Sequence, residues 1–103
     1  MQEHRIFIIG HLQLDIMDSI ENGVVEPPEI AEDIGRTKIQ VWDSLGTLIR
    51  RGLAVQTRAP AYGGKPGCSA GAYALTDMGR REYQRALRAG RSPGVPRTQE
   101  GGR

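Results

Sequence analysis

The chain has 103 residues, with 14 Lys and Arg against 12 Asp and Glu, 14 Gly, one Trp and 38% hydrophobic residues. That length fits one domain, which buries only about two-thirds of its unfolded surface and would gain from dimerisation. No run approaches the roughly 18 apolar residues of a membrane span, Ile6 to Ile9 is too short and wrongly flanked for a signal peptide, and a lone Cys68 makes no intrachain disulfide, so a soluble cytoplasmic protein held by packing alone is expected.

In chain order, the first helix is predicted where Ile9, Leu12, Ile16, Met17 and Ile20 recur at helical spacing, with Asp15, Asp18 and Glu21 on the other side. Gly23 stops it, and Val24 and Val25 read as a very short strand. Pro27 and Pro28 are tolerated only in the first turn of a second, short helix running from about Pro28 to Ile34, which buries Ile30, Ala31 and Ile34. Gly35 ends it. Thr37, with Gln40 three residues on, forms the S/T-x-x-E/Q capping box of a longer helix whose buried stripe is Val41, Leu45 and Leu48 and which stops at Gly52. Gly46 inside this helix is atypical, because an interior glycine costs about 1 kcal/mol relative to alanine.

From Leu53 to Arg58 the pattern alternates, with Leu53, Val55 and Thr57 on one face and Ala54, Gln56 and Arg58 on the other, which predicts a strand. Ala59 to Gly71 is a Gly- and Pro-rich loop, and Ala72 to Leu75 is the partner strand that closes a hairpin. Thr76 caps a last helix from Asp77 to about Ala89, with Met78, Tyr83, Ala86 and Leu87 as a thin apolar stripe. Residues 1–89 thus read as one domain and residues 90–103 as a disordered basic tail.

Charge is segregated along the chain. Residues 1–35 carry eight acids and one base, a net −7, whereas residues 36–89 carry ten bases and three acids, a net +7. A local basic field attracts a polyanion even when the whole-chain charge is only +2. The competing reading is a solvated surface on which the acidic and basic segments pair with each other.

The order helix, short strand, helix, tight turn, longer helix, hairpin and helix is that of a winged helix-turn-helix, an α+β and mainly α class with a three-helix core, a β-hairpin wing and a C-terminal helix. Glu29-Ile-Ala-Glu-Asp-Ile-Gly35, followed by Arg36-Thr-Lys-Ile-Gln-Val-Trp-Asp-Ser-Leu-Gly-Thr-Leu-Ile-Arg-Arg-Gly-Leu-Ala54, resembles the helix-turn-helix of MarR-type transcriptional regulators. Tyr73-Ala-Leu-Thr-Asp-Met-Gly79 is similar to the segment that closes the wing in that family and in the related PadR and ArsR types. The resemblance covers residues 29–58 well and 73–89 moderately, and the wing tip is longer and richer in Gly than usual. It implies a double-stranded DNA partner, a homodimer, a cytoplasmic, nucleoid-associated location and a role in transcription regulation, expected as repression.

The residues support a DNA site without the resemblance. Arg36, Thr37, Lys38 and Gln40 occupy the N-terminal end of the longer helix, where the dipole and free N–H groups favour phosphate. Lys38 reaches phosphate or guanine. Gln40 either pairs with adenine or folds back into the capping box, since one amide serves both uses, and Thr37 reads as a cap rather than a base reader. Arg58 and Lys65 on the hairpin are candidates for the DNA backbone or minor groove, against the alternative of solvated loop charges. Asp43 would repel phosphate unless it accepts from cytosine N4 or pairs with a neighbouring base. Trp42 and Ile49 form a second apolar edge, expected to pack on the first helix, while an exposed Trp42 would mark a partner surface. The first and last helices are the expected dimer interface.

Catalysis has no foothold, because no nucleophile, base and orienting group occur at recognisable spacing. His4 and His11 lie about 10.5 Å apart along a helix, too far to share an ion, and Cys68 adds one ligand at most, so neither a metal nor another cofactor is expected. Two alternatives stay open: a winged helix used for protein contact through Trp42 and Ile49, and a DNA-binding accessory protein of a plasmid or virus.

Overall fold

The computed structural model describes residues 9–61 and 70–94. They form a mainly helical α+β domain of four helices and one two-stranded antiparallel sheet, in the order α1 (His11–Glu21), α2 (Pro27–Ile34), α3 (Lys38–Arg50), β1 (Ala54–Arg58), β2 (Ala72–Leu75) and α4 (Asp77–Arg88). No helix among the described residues is long and apolar enough to cross a membrane.

The core lies where α1, α2 and α3 meet. Leu14, Ile16 and Met17 of α1 pack with Ile30 of α2, Val41, Leu45 and Leu48 of α3, and Leu53, all essentially removed from solvent. Each such side chain contributes about 1.5–3 kcal/mol by leaving water, so this contact fixes how the three helices cross.

Helix α1 differs from the expected amphipathic surface helix. Asp15 and Asp18 are buried rather than solvated, because α4 and the residues after it cover that side. The Tyr83 hydroxyl donates to Asp18 Oδ1 at 2.5 Å, the Gly94 amide donates to Asp15 Oδ1 at 2.7 Å, and Ser19 donates to Asp33 Oδ2 at 2.5 Å. Buried polar groups persist only when satisfied in this way. Residues 91–94, placed by sequence at the start of a disordered tail, therefore lie against α1, and Arg91 Nη1 also donates to the Ile9 carbonyl at 2.6 Å. Residues 95–103 lie outside the described residues.

Helix α2 starts at Pro27, one residue earlier than expected, with both prolines in its first turn. Gly35 ends it at φ 71°, ψ 37°, a left-handed conformation in which a side chain is strained. The expected strand at Val24–Val25 is reduced to one backbone hydrogen bond, from Tyr73 N to the Val25 carbonyl at 3.1 Å. Five residues between the end of α1 at Glu21 and Pro27, two of them in the turn at Asn22 and Gly23, leave too little chain for a ladder.

In the sheet Ala54 faces Leu75, Val55 faces Ala74, Gln56 faces Tyr73 and Arg58 faces Ala72, with an irregularity between Gln56 and Arg58 that leaves Thr57 without an opposing residue. Strand β2 is largely buried against the helices. In β1 only Ala54 is buried, so the predicted two-faced alternation is absent: both faces beyond Ala54 meet solvent because no helix packs over the outer part of the hairpin.

The apolar stripe of α1 is consumed by the core, and in α4 Tyr83 and Ala86 are buried while Met78 and Leu87 are partly covered. Leu12 of α1 and Met78 and Leu87 of α4 thus remain only partly covered.

Two glycines should respond in opposite directions to alanine. A Cβ on Gly46 meets only the flexible end of Arg50, so Gly46→Ala should raise unfolding free energy by about 1 kcal/mol. A Cβ on Gly79 would overlap the Leu53 backbone carbonyl, so Gly79→Ala should cost about 1–3 kcal/mol or more. Urea denaturation of both variants gives the two signs in one experiment.

Candidate nucleic-acid interface

The turn from α2 to α3 is three residues long, Gly35 to Thr37, and its shape follows from local bonds. The Arg36 amide returns to the Ala31 carbonyl at 3.0 Å, closing α2. Thr37 then opens α3: its Oγ1 accepts from the Gln40 amide at 3.1 Å, while Gln40 Oε1 accepts from the Thr37 amide at 3.0 Å and from the Thr37 hydroxyl at 3.2 Å. The capping box is formed in full, which satisfies two backbone donors of the first turn. Gln40 is thereby in its capping role, and contact with adenine would require its Oε1 to be shared or the box to open.

Arg36, Thr37, Lys38 and Gln40 are all exposed at the N-terminal end of α3. Arg36, Thr37 and Lys38 line one wall of an open groove whose opposite wall includes Glu29 and Glu32 of α2. Neither Arg36 nor Lys38 forms an ion pair among the described residues, so both cations are presented to solvent beside two carboxylates.

Arg58 is placed differently from the free hairpin cation expected. Its guanidinium forms an ion pair with the Glu26 carboxylate at the start of α2, which ties the hairpin back to the domain. Lys65, Cys68 and His4 lie outside the described residues. A second contact between the acidic and basic segments is Arg80 with Glu21 at 3.6 Å. The alternative in which the two segments pair internally is realised at these two points.

The outer face of α3 carries large apolar residues beyond the N-terminal cations, and more of them than the expected edge of Trp42 and Ile49. Ile39 is 73% exposed, Trp42 40%, Ile49 39% and, on the adjacent strand, Val55 46%. Trp42 does not pack on α1 as expected. Its indole meets Tyr73 of β2 edge to face, with ring centroids 6.2 Å apart and planes at 89°. Tyr73 is itself fixed, being buried and accepting a hydrogen bond on its hydroxyl from Gln56 Nε2 at 3.1 Å. Asp43 sits on the same outer face, exposed and without an ion pair among the described residues. Arg50, at the far end of the helix, donates to Thr47 Oγ1 at 3.2 Å.

Sequence reasoning missed Ile39 and Val55 as surface residues. The signal for Ile39 was present, since it precedes Trp42 by three positions and Ile49 by ten, a helical spacing that places all three off the Val41, Leu45, Leu48 stripe.

The chain matches no protein-family model, no curated protein and no solved structure.

Removing the cap should loosen the end of α3 without touching the core. Thr37→Ala is expected to cost about 1 kcal/mol in urea unfolding, and amide exchange at Gln40 should accelerate more than exchange at Leu45.

Proposed function

We propose that the chain is a winged helix-turn-helix protein that binds double-stranded DNA and regulates transcription, with α3 in the major groove and the hairpin beside the adjacent backbone or minor groove. The observation that carries this reading is the geometry of the α2–α3 unit. A glycine-closed three-residue turn delivers α3 with its N-terminal end and Arg36, Thr37 and Lys38 open to solvent. The positive end of the helix dipole and two cations there without an ion pair among the described residues suit a phosphate, and a helix of this width fits the major groove. Arg58, engaged with Glu26, contributes to this reading mainly by holding the hairpin close to α2. A homodimer on a repeated site would join through the apolar residues of α1 and α4 that are only partly covered, Leu12, Met78 and Leu87.

Contact with a protein is the second reading, favoured by the exposure of Trp42 and Ile49 on one face of α3.

Fluorescence anisotropy with duplex from the gene's own upstream region and with random duplex, at about 50 and about 200 mM salt, separates the two. A regulator binds the upstream duplex more tightly, and salt weakens that binding. Lys38→Ala should then weaken binding to every sequence and reduce the salt slope by about one, whereas Gln40→Ala should relax preference at one base pair by about 1–3 kcal/mol. Absence of binding to either duplex at both salts, with a Trp42 emission that blue-shifts on adding cell extract, would favour the protein-contact reading.

A further inference from the structure

The most exposed large hydrophobic side chain among the described residues, Ile39 at 73%, lies on the helix that the proposed function places against base edges. Next to it stand Trp42 and Asp43, one turn further along α3. An exposed isoleucine and tryptophan cost solvation free energy in the free protein, and a carboxylate repels phosphate, so this face suits a surface that offers methyl groups and hydrogen-bond donors rather than anions.

The floor of the major groove offers both at pyrimidines. Thymine presents its C5 methyl, which takes apolar contacts, and cytosine presents the N4 amino donor, which takes a carboxylate. Guanine presents two acceptors and calls for Arg or Lys, and the middle of this face holds no cation. Adenine sets its N7 acceptor beside the N6 donor, which would oppose the second carboxylate oxygen of Asp43.

We infer that the outer face of α3 reads pyrimidines, with Ile39 and Trp42 packing on thymine methyl groups and Asp43 accepting from cytosine N4. The inference rests on the DNA-binding reading and names the chemistry that the site selects. Spacing agrees with it: Ile39 is about 4.5 Å from Trp42 and about 6 Å from Asp43 along the helix axis at 1.5 Å per residue. Bases on one strand are stacked about 3.4 Å apart, so the three side chains span one to two base steps. Trp42 is prepared for such a contact, because its edge-to-face packing on the buried Tyr73 holds the indole in one orientation before DNA arrives. Charge is arranged to match. Lys38 begins the helix and Arg50 ends it, so cations stand at both ends of the apolar face, where the phosphate rails of a groove would pass. Gly46, in the middle of the face, has open space above it apart from the end of Arg50, which lets the backbone approach the groove floor.

The test uses the full chain. Sites are selected from a random duplex pool, and the preferred duplex is then remade with deoxyuridine in place of each thymidine in turn, which removes only the methyl group. At one or two positions the substitution should weaken wild-type binding about fourfold, the factor for burying one methyl group, and Ile39→Ala should lose the discrimination at one of those positions. Asp43→Asn should shift preference at one position from cytosine to adenine, which pairs with an Asn amide. Because Ile39 and Asp43 are exposed, both variants keep the core, and an unchanged thermal transition confirms it. Wild-type indifference to every methyl, or discrimination unchanged at every position in Ile39→Ala, would overturn the inference while leaving DNA binding intact. Failure to enrich any duplex would overturn the DNA-binding reading and this inference together. A self-association lost in Trp42→Ala would then assign the same face to protein.

Discussion

The hydroxyl of Thr76 stands where three elements begin or end, and the arrangement of the whole candidate surface depends on it. It donates to the Gly52 carbonyl at 2.6 Å and accepts from the Gly79 amide at 3.0 Å, while the Thr76 amide donates to the Leu53 carbonyl at 3.0 Å. The exit from α3, the entry to β1 and the first turn of α4 are thereby joined at one point. Gly79 completes the junction, because only a residue without a Cβ lets α4 lie on the Leu53 backbone. Tyr73 precedes Thr76 by three residues, so fixing this corner also fixes where Tyr73 meets Trp42. The outer face of α3 and the root of the hairpin consequently act as one rigid surface rather than as a helix and a separately mobile wing.

Electrostatics plays a smaller part than the segregation of charge along the chain suggests. Exposed ion pairs such as Arg58 with Glu26 and Arg80 with Glu21 are worth at most about 1 kcal/mol each. They do, however, offset cations that would otherwise attract a polyanion. Near α3 there remain Arg36, Lys38 and Arg50, set against the exposed carboxylates of Glu29, Glu32 and Asp43. Under the proposed DNA-binding role, these cations of the described residues would make few phosphate contacts and give a shallow salt dependence. Discrimination among sequences would then rest on shape and on contacts to base edges more than on attraction to the backbone.

What was legible in the sequence was local. Gly35, the Thr37 and Gln40 capping pair and the Thr76 cap each act within a few residues, and their spacing alone located the turn and the starts of α3 and α4. The partner strand Ala72–Leu75 was legible for the same reason, being bounded by a Gly-rich loop and a cap. Contacts set across long stretches of chain were not. Trp42 turns to Tyr73 rather than to α1, Arg58 turns to Glu26, and Asp15 and Asp18 are covered by α4 and by residues 91–94. Helical periodicity separates the faces of a helix but does not say which face a later element will cover, and α1 is covered nearly all round.

The short sheet has a further consequence for behaviour at high concentration. Among the described residues strand β1 pairs with β2 alone, so its other side offers backbone donors and acceptors along an exposed segment that includes Val55. Such an edge can recruit a strand from another molecule when it is long and flat. Here it is neither. The irregularity at Thr57 interrupts the regular ladder after three paired residues, and the ion pair of Arg58 with Glu26 draws the end of the strand back toward the domain. The departure from regular pairing at Thr57 therefore guards the hairpin against fibrous stacking.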